Sequence, residues 1–433
     1  MSELNHYKLS ELYEMSSGIS TTPEQAGHGS PFLSFSSVFR GHFLPEALPD
    51  QMDTSDKEQK TYSVREGDIF LTRTSETLDE LGMSSVAYQE YPHATYSGFL
   101  KRLRPTQTDK AYHKFMAFYL RSKLFRKTMD NNAVMTLRCS LNEQIFSYLD
   151  VLLPDWDDQV KIGDLLFLVY EKIELNNQIN AELEAMAKLL YDYWFVQFDF
   201  PMTAEQASAL GQPELEGKPY KTSGGKMVFN STLKRDIPEG WENGTLGDYF
   251  EIKSGFPFKS SDYTPEGRFQ IVTIKNVQDR NLDLSSTEKI DLTPVNLPTY
   301  CTLKSGSILM SLTGNVARSC VVFCDNLLLN QRVGLVIPVS GRSSHVNNLI
   351  KSQEVFSKLV NAATGSNQKN LSPIEATKIR TVRAGTTTLD QYEKYTSSSF
   401  DLIIQNQKQN QELTELRDWL LPMLMNGQVT VTG

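Results

Sequence analysis

The chain has 433 residues, 39% of them hydrophobic and 22% charged, a length that calls for more than one core. No apolar run approaches the ~20 residues of a membrane span, and the start, MSELNHYKLSELYEM, lacks the apolar segment of a secretory signal. The four scattered cysteines make no disulfide framework, so a cytoplasmic protein is expected, and a net charge of −9 excludes a uniformly basic surface for nucleic acid.

Taken in chain order, the elements occur twice. LSELYEMSSG, ending at Gly18, returns as LGDYFEIKSG, ending at Gly255, and FLSFSSV, ending at Val38, lies over the run ending at Val277. EGDIFLTRT, with Gly67, matches SGSILMSLT, with Gly306, and SSVAY matches SCVVF, ending at Phe323. YLRSKLFRK returns around Ser352, SLNEQIFSYLDVLLP aligns Leu141 with Leu371, and NAELEAMAKLL aligns Asn180 with Asn410. Two copies are too few for a solenoid and imply a pseudo-two-fold protein. Each copy begins with short β-branched and aromatic runs broken by Gly, Pro and Ser. GDIFLTR and GSILMSL read as strands alternating apolar and polar residues, followed by FLKRLRP and VGLVIPV. Cys320 and Cys324, in the apolar run SCVVFC, read as core thiols. Between Lys101 and Lys127 nine basic residues face the single acid Asp109, which predicts either a basic patch or a solvated face.

Each copy closes in a long helix. Ile162, Leu166, Val169, Ile173, Asn176, Asn180, Leu183, Ala187, Leu190 and Trp194 are spaced by alternating fours and threes, the period of a coiled-coil seam. Ile403, Asn406, Asn410, Leu413, Leu420 and Leu424 repeat it. The pseudo-two-fold predicts antiparallel pairing that brings Asn176 and Asn180 near Asn406 and Asn410, fixing register. The resulting fold class is α/β (α+β), with two globules joined by two long antiparallel helices. Expected boundaries are a globule at 1–155, a helix at 156–200, a linker at 201–240, a second globule at 241–385 and a second helix at 386–433. A helix of ~35 residues is ~50 Å long, about one duplex turn or somewhat more.

YDYWFVQFDFP, GKPYKTSGGKMVFN and IPEGWENGTLGDYFEIKSGFPFKS, then FQIVTIKNV, GSILMSLTGNVAR, NQKNLSPIEATKI and the closing LLPMLMNGQV, resemble the specificity subunits of Type I restriction–modification systems. The resemblance spans the chain, strongest over 155–335 and weakest in the first 150 residues. It implies that the globules are target-recognition domains, each reading half of a bipartite, asymmetric site in double-stranded DNA. The helices would be the ruler and the docking surface for two methyltransferase subunits, with motor-nuclease subunits completing the complex. S-adenosylmethionine, Mg and ATP would then sit on those partners, leaving this chain without a cofactor or a catalytic residue.

The residues agree with a non-enzyme: no Gly-rich phosphate loop, no Asn/Asp-Pro-Pro-aromatic tetrapeptide and no metal-spaced histidine pair occurs. A nuclease-like order, Asp50 followed by Glu58 and Lys60, lies in a wholly polar stretch. A metal-dependent nuclease using it, or a coiled-coil scaffold without sequence preference, are the rival readings. For DNA contact the candidates are loop-tip residues with paired donors and acceptors, the rival being ordinary polar hairpins. In the first copy these are Arg73, Thr74 and Ser75 after GDIFLTR, Arg138, and Lys101, Arg102 and Arg104 as phosphate contacts. In the second they are Lys275, Asn276, Thr313, Asn315 and Arg318, with Asn367, Gln368, Lys369 and Asn370 as the favoured base readers.

Overall fold

The computed structural model describes residues 4–75, 80–132, 139–365, 368–429 and 431. The chain divides into two compact units, Met1–Glu174 with Glu412–Gly433, and Leu175–Gln411, so the division cuts both long helices.

In the first unit a four-stranded antiparallel sheet runs in the order Tyr13–Ser17, Leu100–Pro105, Ile69–Thr72, Ser84–Val86. Beside it Phe32 and Leu33 pair in parallel with Thr95 and Tyr96, and residues 30–32 pair antiparallel to Asp50–Met52. The globule is clasped by Asn5–Lys8 pairing antiparallel with Asp150–Leu153. The second unit repeats this plan. Its sheet runs Phe250–Ser254, Val333–Pro338, Ile308–Ser311, Ser319–Val321. Gln270–Val272 pairs in parallel with Leu327–Leu329, and the clasp is Glu242–Thr245 with Arg380–Arg383. Equal strand order in both units is the structural form of the sequence repeat.

The strands Ile69–Thr72 and Ile308–Ser311 were expected to alternate apolar and polar residues, but all eight positions are buried. Both strands lie inside their sheets, where both faces are covered. Ile69 and Leu71 enter one core while Phe70 enters another, because successive side chains point to opposite faces.

The first unit's core is built on Phe115, Phe118, Tyr119 and Phe125, and it takes in Ile162, Leu166 and Phe167 of the central helix, Trp156–Tyr191, with Leu424 and Met425 of the C-terminal helix, Thr386–Met425. In the second unit Tyr191, Trp194 and Phe195 join the core instead, against Tyr392. None of the sixteen seam positions read from the sequence is exposed. Within the second unit the two helices run antiparallel: Asn176 meets Asn410, Asn180 meets Asn406, and the Tyr392 hydroxyl donates to the Ala187 carbonyl.

The stretch expected to be a linker is packed. Met202, Ala207, Tyr220 and Ile237 are buried in the second core, and Phe200 stacks on both Tyr220 and Trp241, at 4.7 and 4.9 Å between ring centroids. Isolated aromatics carry no periodic signal, yet each buries a large apolar area. Cys320 is fully buried and its thiol is pushed up to about 12, in keeping with a core residue, whereas Cys324 is half-buried.

His345 is buried among Tyr191, Phe195, Tyr249 and Tyr392, and its pKa is pushed down to about 3, first by burial and then by Arg342. The unfolded chain therefore takes up a proton near pH 6.5 that the folded chain refuses. This contribution is fully present above pH 6.5 and falls as pH drops towards 3, by roughly a few kcal/mol in all. Urea midpoints measured from pH 7 to 4 should fall less steeply for His345→Phe than for the native chain, and parallel curves would contradict the assignment.

Candidate nucleic-acid interface

In the second unit, three loops are drawn to one hollow. The turn after Phe269–Val272 contributes Lys275 and Gln278, and the turn after Ile308–Ser311 contributes Thr313, Asn315 and Arg318. Gln368 and Lys369 come from far along the chain. They are seated by backbone: Gly314 N–H donates to the Lys369 carbonyl at 3.0 Å, and Thr313 bridges Asn370. Among the described residues, three cations and no carboxylate line this hollow. Lys275, Arg318 and Lys369 have no acidic partner among the described residues, unlike Arg104, Lys114 or Arg342. Lys275 also borders a second hollow with Thr287, Asn330 and Arg332. Clustered unpaired cations beside exposed amides form a surface that attracts a polyanion and presents donors to base edges.

Asn276, a candidate for DNA contact by its sequence, is buried, 2% exposed. Its Oδ1 accepts from the Thr273 amide and hydroxyl at 2.8 and 2.9 Å, and its Nδ2 donates to the Asp283 and Ser286 carbonyls at 2.9 and 3.2 Å. Every hydrogen-bonding group of that amide is used to close the turn. Asn315, Gln368, Lys369 and Asn370 are exposed, and Asn367 lies outside the described residues.

In the first unit the expected phosphate patch breaks up. Arg102 is buried beside the Tyr96 ring and donates to the Ser63 carbonyl at 2.8 Å. Arg104 is forked onto the buried carboxylate of Asp68. Arg121 also points inward, to the carbonyls of Ser84, Val38 and Phe39. The basic run from Lys101 to Lys127 is therefore not one patch, since strand and helix periodicity turn several of its members into the fold. Lys101 remains half-buried, with Nζ on the Ser17 hydroxyl at 2.8 Å. Arg73 is exposed, Thr74 is half-buried and pairs with Ser140, and the exposed ring of Phe99 lies beside them, its carbonyl accepting from the Arg73 amide. Arg138 and the side chain of Ser75 lie outside the described residues.

Gln278, Arg332 and Phe99 carry no loop-tip signal in the sequence. Glycine or amide density marks a loop tip, but these three are brought there by tertiary pairing. In the nuclease-like string Glu58 is a helix cap, its carboxylate accepting from the Ser55 amide and hydroxyl at 2.8 and 2.6 Å. Among the described residues no group of three metal-capable side chains occurs, and no helix is long and apolar enough to cross a membrane.

Residues 2–185 match the family described as Type I restriction modification DNA specificity domain, which takes in the part where the motif resemblance is weakest. The Type I restriction enzyme HindI specificity subunit of Haemophilus influenzae is 26% identical over 321 residues, 65% of this chain and 70% of the relative. The MjaIX specificity subunit of Methanocaldococcus jannaschii is 21% identical over 88% of this chain and 82% of its own. Among solved structures, the Type I restriction–modification S subunit of M. genitalium superposes with a TM-score of 0.57 at 14% identity, over 98% of this chain and 96% of the other, a likeness of fold. Over much of its length the chain is similar to the specificity subunits of Type I restriction–modification systems, and residues 2–185 carry the match to their DNA specificity domain.

Proposed function

We propose that this chain is a non-catalytic, sequence-specific DNA-binding subunit, each globule reading one half of a bipartite, asymmetric site. The observation that carries the reading is one strand plan used twice with different residues at corresponding loop tips. Where the second unit places Lys275, Gln278 and Arg318, the repeat offset puts Ser36, Phe39 and Met83 in the first. Equal scaffolds with unequal tips fit two different half-sites.

The same offset supports a docking role for the helices. Met186 and Leu189 are 67% and 69% exposed, and their counterparts 230 residues on, Leu416 and Trp419, are 45% and 65% exposed. Repeated apolar patches fit two copies of one partner, which we assign as methyltransferase subunits. Motor-nuclease subunits complete the assembly in the cytoplasm, and S-adenosylmethionine, Mg and ATP reside on the partners.

Co-expression with the methyltransferase subunits of its system, followed by mapping of methylated adenines by long-read sequencing, tests this reading. A split motif with a fixed gap is expected, and exchange of residues 241–385 should change one half alone. An assembled complex that methylates nothing, or without sequence preference, would favour the scaffold. Asn176 is fully buried and donates to Asn410 Oδ1 at 2.8 Å, while Asn406 donates to Asn180 Oδ1 at 2.9 Å. Leucine at all four positions removes this polar register and should blur the gap between the half-motifs, while an unchanged gap would show that register is set elsewhere.

A further inference from the structure

We infer that Arg318, aimed by Gln278, reads a guanine in the half-site of the second globule, an inference that rests on the DNA-reading function above. Gln278 holds its amide between two partners: Nε2 donates to the Lys275 carbonyl at 2.6 Å, and Oε1 accepts from an Arg318 terminal nitrogen at 3.3 Å. The carbonyl end must face arginine and the amino end must face the backbone, so the orientation is set. An amide used at both ends is a bracket and not itself a base reader.

The bracket stands on a fixed base. Asn276 closes the turn with four hydrogen bonds, and the Arg280 amide ties it to the Ser319 carbonyl at 3.0 Å, next to Arg318. Arg318 is itself seated by its backbone amide on the Ser311 hydroxyl at 3.1 Å. The preceding Ala317 has a φ of 64°, a left-handed turn that lets Arg318 leave the strand beside the hollow. With a neutral partner, the guanidinium keeps its full charge and its remaining donors.

Charge alone binds phosphate and needs no aiming, and among the described residues Lys275 and Lys369 in the same hollow have no side-chain partner that aims them. Aiming matters for a base. A guanidinium offers only donors, and in the major groove guanine alone presents two adjacent acceptors, O6 and N7. Adenine pairs its N7 with a donor, thymine has one acceptor beside a methyl group, and cytosine offers a donor. The repeat places Met83 at the position of Arg318, so this guanine belongs to one half-site only.

The test uses the full chain with its methyltransferase subunits, selecting from a randomised duplex library, with base preference read at every position. The native chain should require guanine at one position of the half-site that follows exchange of residues 241–385. Arg318→Ala should relax that position by roughly 10-fold or more. Gln278→Ala should relax the same position at an unchanged melting temperature, and Arg318→Lys should fall between. Lys275→Ala and Lys369→Ala should weaken all sequences evenly. Even weakening by Arg318→Ala, with a flatter salt dependence, would make Arg318 a phosphate contact and overturn the inference. Unchanged preference in Gln278→Ala would overturn the bracket. If the native chain selects no sequence at all, the DNA-reading function fails and takes the inference with it.

Discussion

Arg104→Ala should destabilise the first globule by about 3–5 kcal/mol, with any loss of DNA binding following from unfolding. The Asp68 carboxylate is 1% exposed, and Arg104 covers it with Nε on Oδ1 at 2.7 Å and a terminal nitrogen on Oδ2. The same guanidinium donates to the Ser63 carbonyl at 3.0 Å, and Asp68 Oδ2 also takes the Arg65 amide at 2.8 Å. Gly67 and Asp68 lead into Ile69–Thr72, an inner strand whose side chains enter two of this globule's cores. Removing the arginine leaves a buried carboxylate without its forked partner, with the Arg102 guanidinium as a neighbouring charge that does not hydrogen-bond it, while removing both partners leaves no buried anion. Asp68→Asn with Arg104→Ala should therefore melt above Arg104→Ala alone. Urea denaturation of the native chain, the single variants and the double variant measures the coupling. A stable Arg104→Ala chain with weaker, flatter salt-dependent DNA affinity would return Arg104 to the phosphate-contact role read from the sequence.

That reversal shows where sequence is informative and where it is not. The repeat was legible because it rests on local grammar: the glycine ending at Gly18 and Gly255, the apolar strand after Gly67 and Gly306, and the seam of each helix. A period and a two-fold name the four asparagines of the seam, but which of them pair, Asn176 with Asn410 and Asn180 with Asn406, is seen only in the structure. Side-chain direction against a distant partner is a different matter. Arg104 reads as a surface cation until Asp68, 36 residues away, is placed beside it. Asn276 reads as a loop amide until its turn closes around it, and Gln278 reads as nothing in particular until Arg318 arrives across the hollow. The stretch from 201 to 240 looked like a linker because Phe200, Tyr220 and Trp241 are spaced by loops, and only stacking unites them.

Gly255→Ala should cost roughly 3 kcal/mol or more, the upper end for an intruding methyl, because nothing around that glycine can yield. A Cβ there would lie 2.3 Å from the Leu329 carbonyl oxygen and 2.4 Å from that of Asn330. Both are backbone atoms, and both are held: the Phe256 amide donates to the Leu329 carbonyl at 2.9 Å, and Phe256 forms a parallel bridge with Asn330. Moving them apart would unpair the second unit's sheet from its parallel neighbour. The first copy makes the same approach, with a Gly18 Cβ 2.2 Å from the Ser97 carbonyl oxygen and a parallel bridge between Ile19 and Ser97. The contact thus belongs to the repeated plan. Gly240 provides the comparison: it has a φ of 84° but no atom of the described residues within 4 Å of an added Cβ, so Gly240→Ala should cost only about 1–2 kcal/mol. Limited proteolysis separates the cases. Gly255→Ala should expose sites within 241–385, Gly18→Ala sites within 1–155, and Gly240→Ala neither. Equal resistance of the Gly255→Ala and native chains would mean that the two backbone segments do not need to touch for this fold to hold.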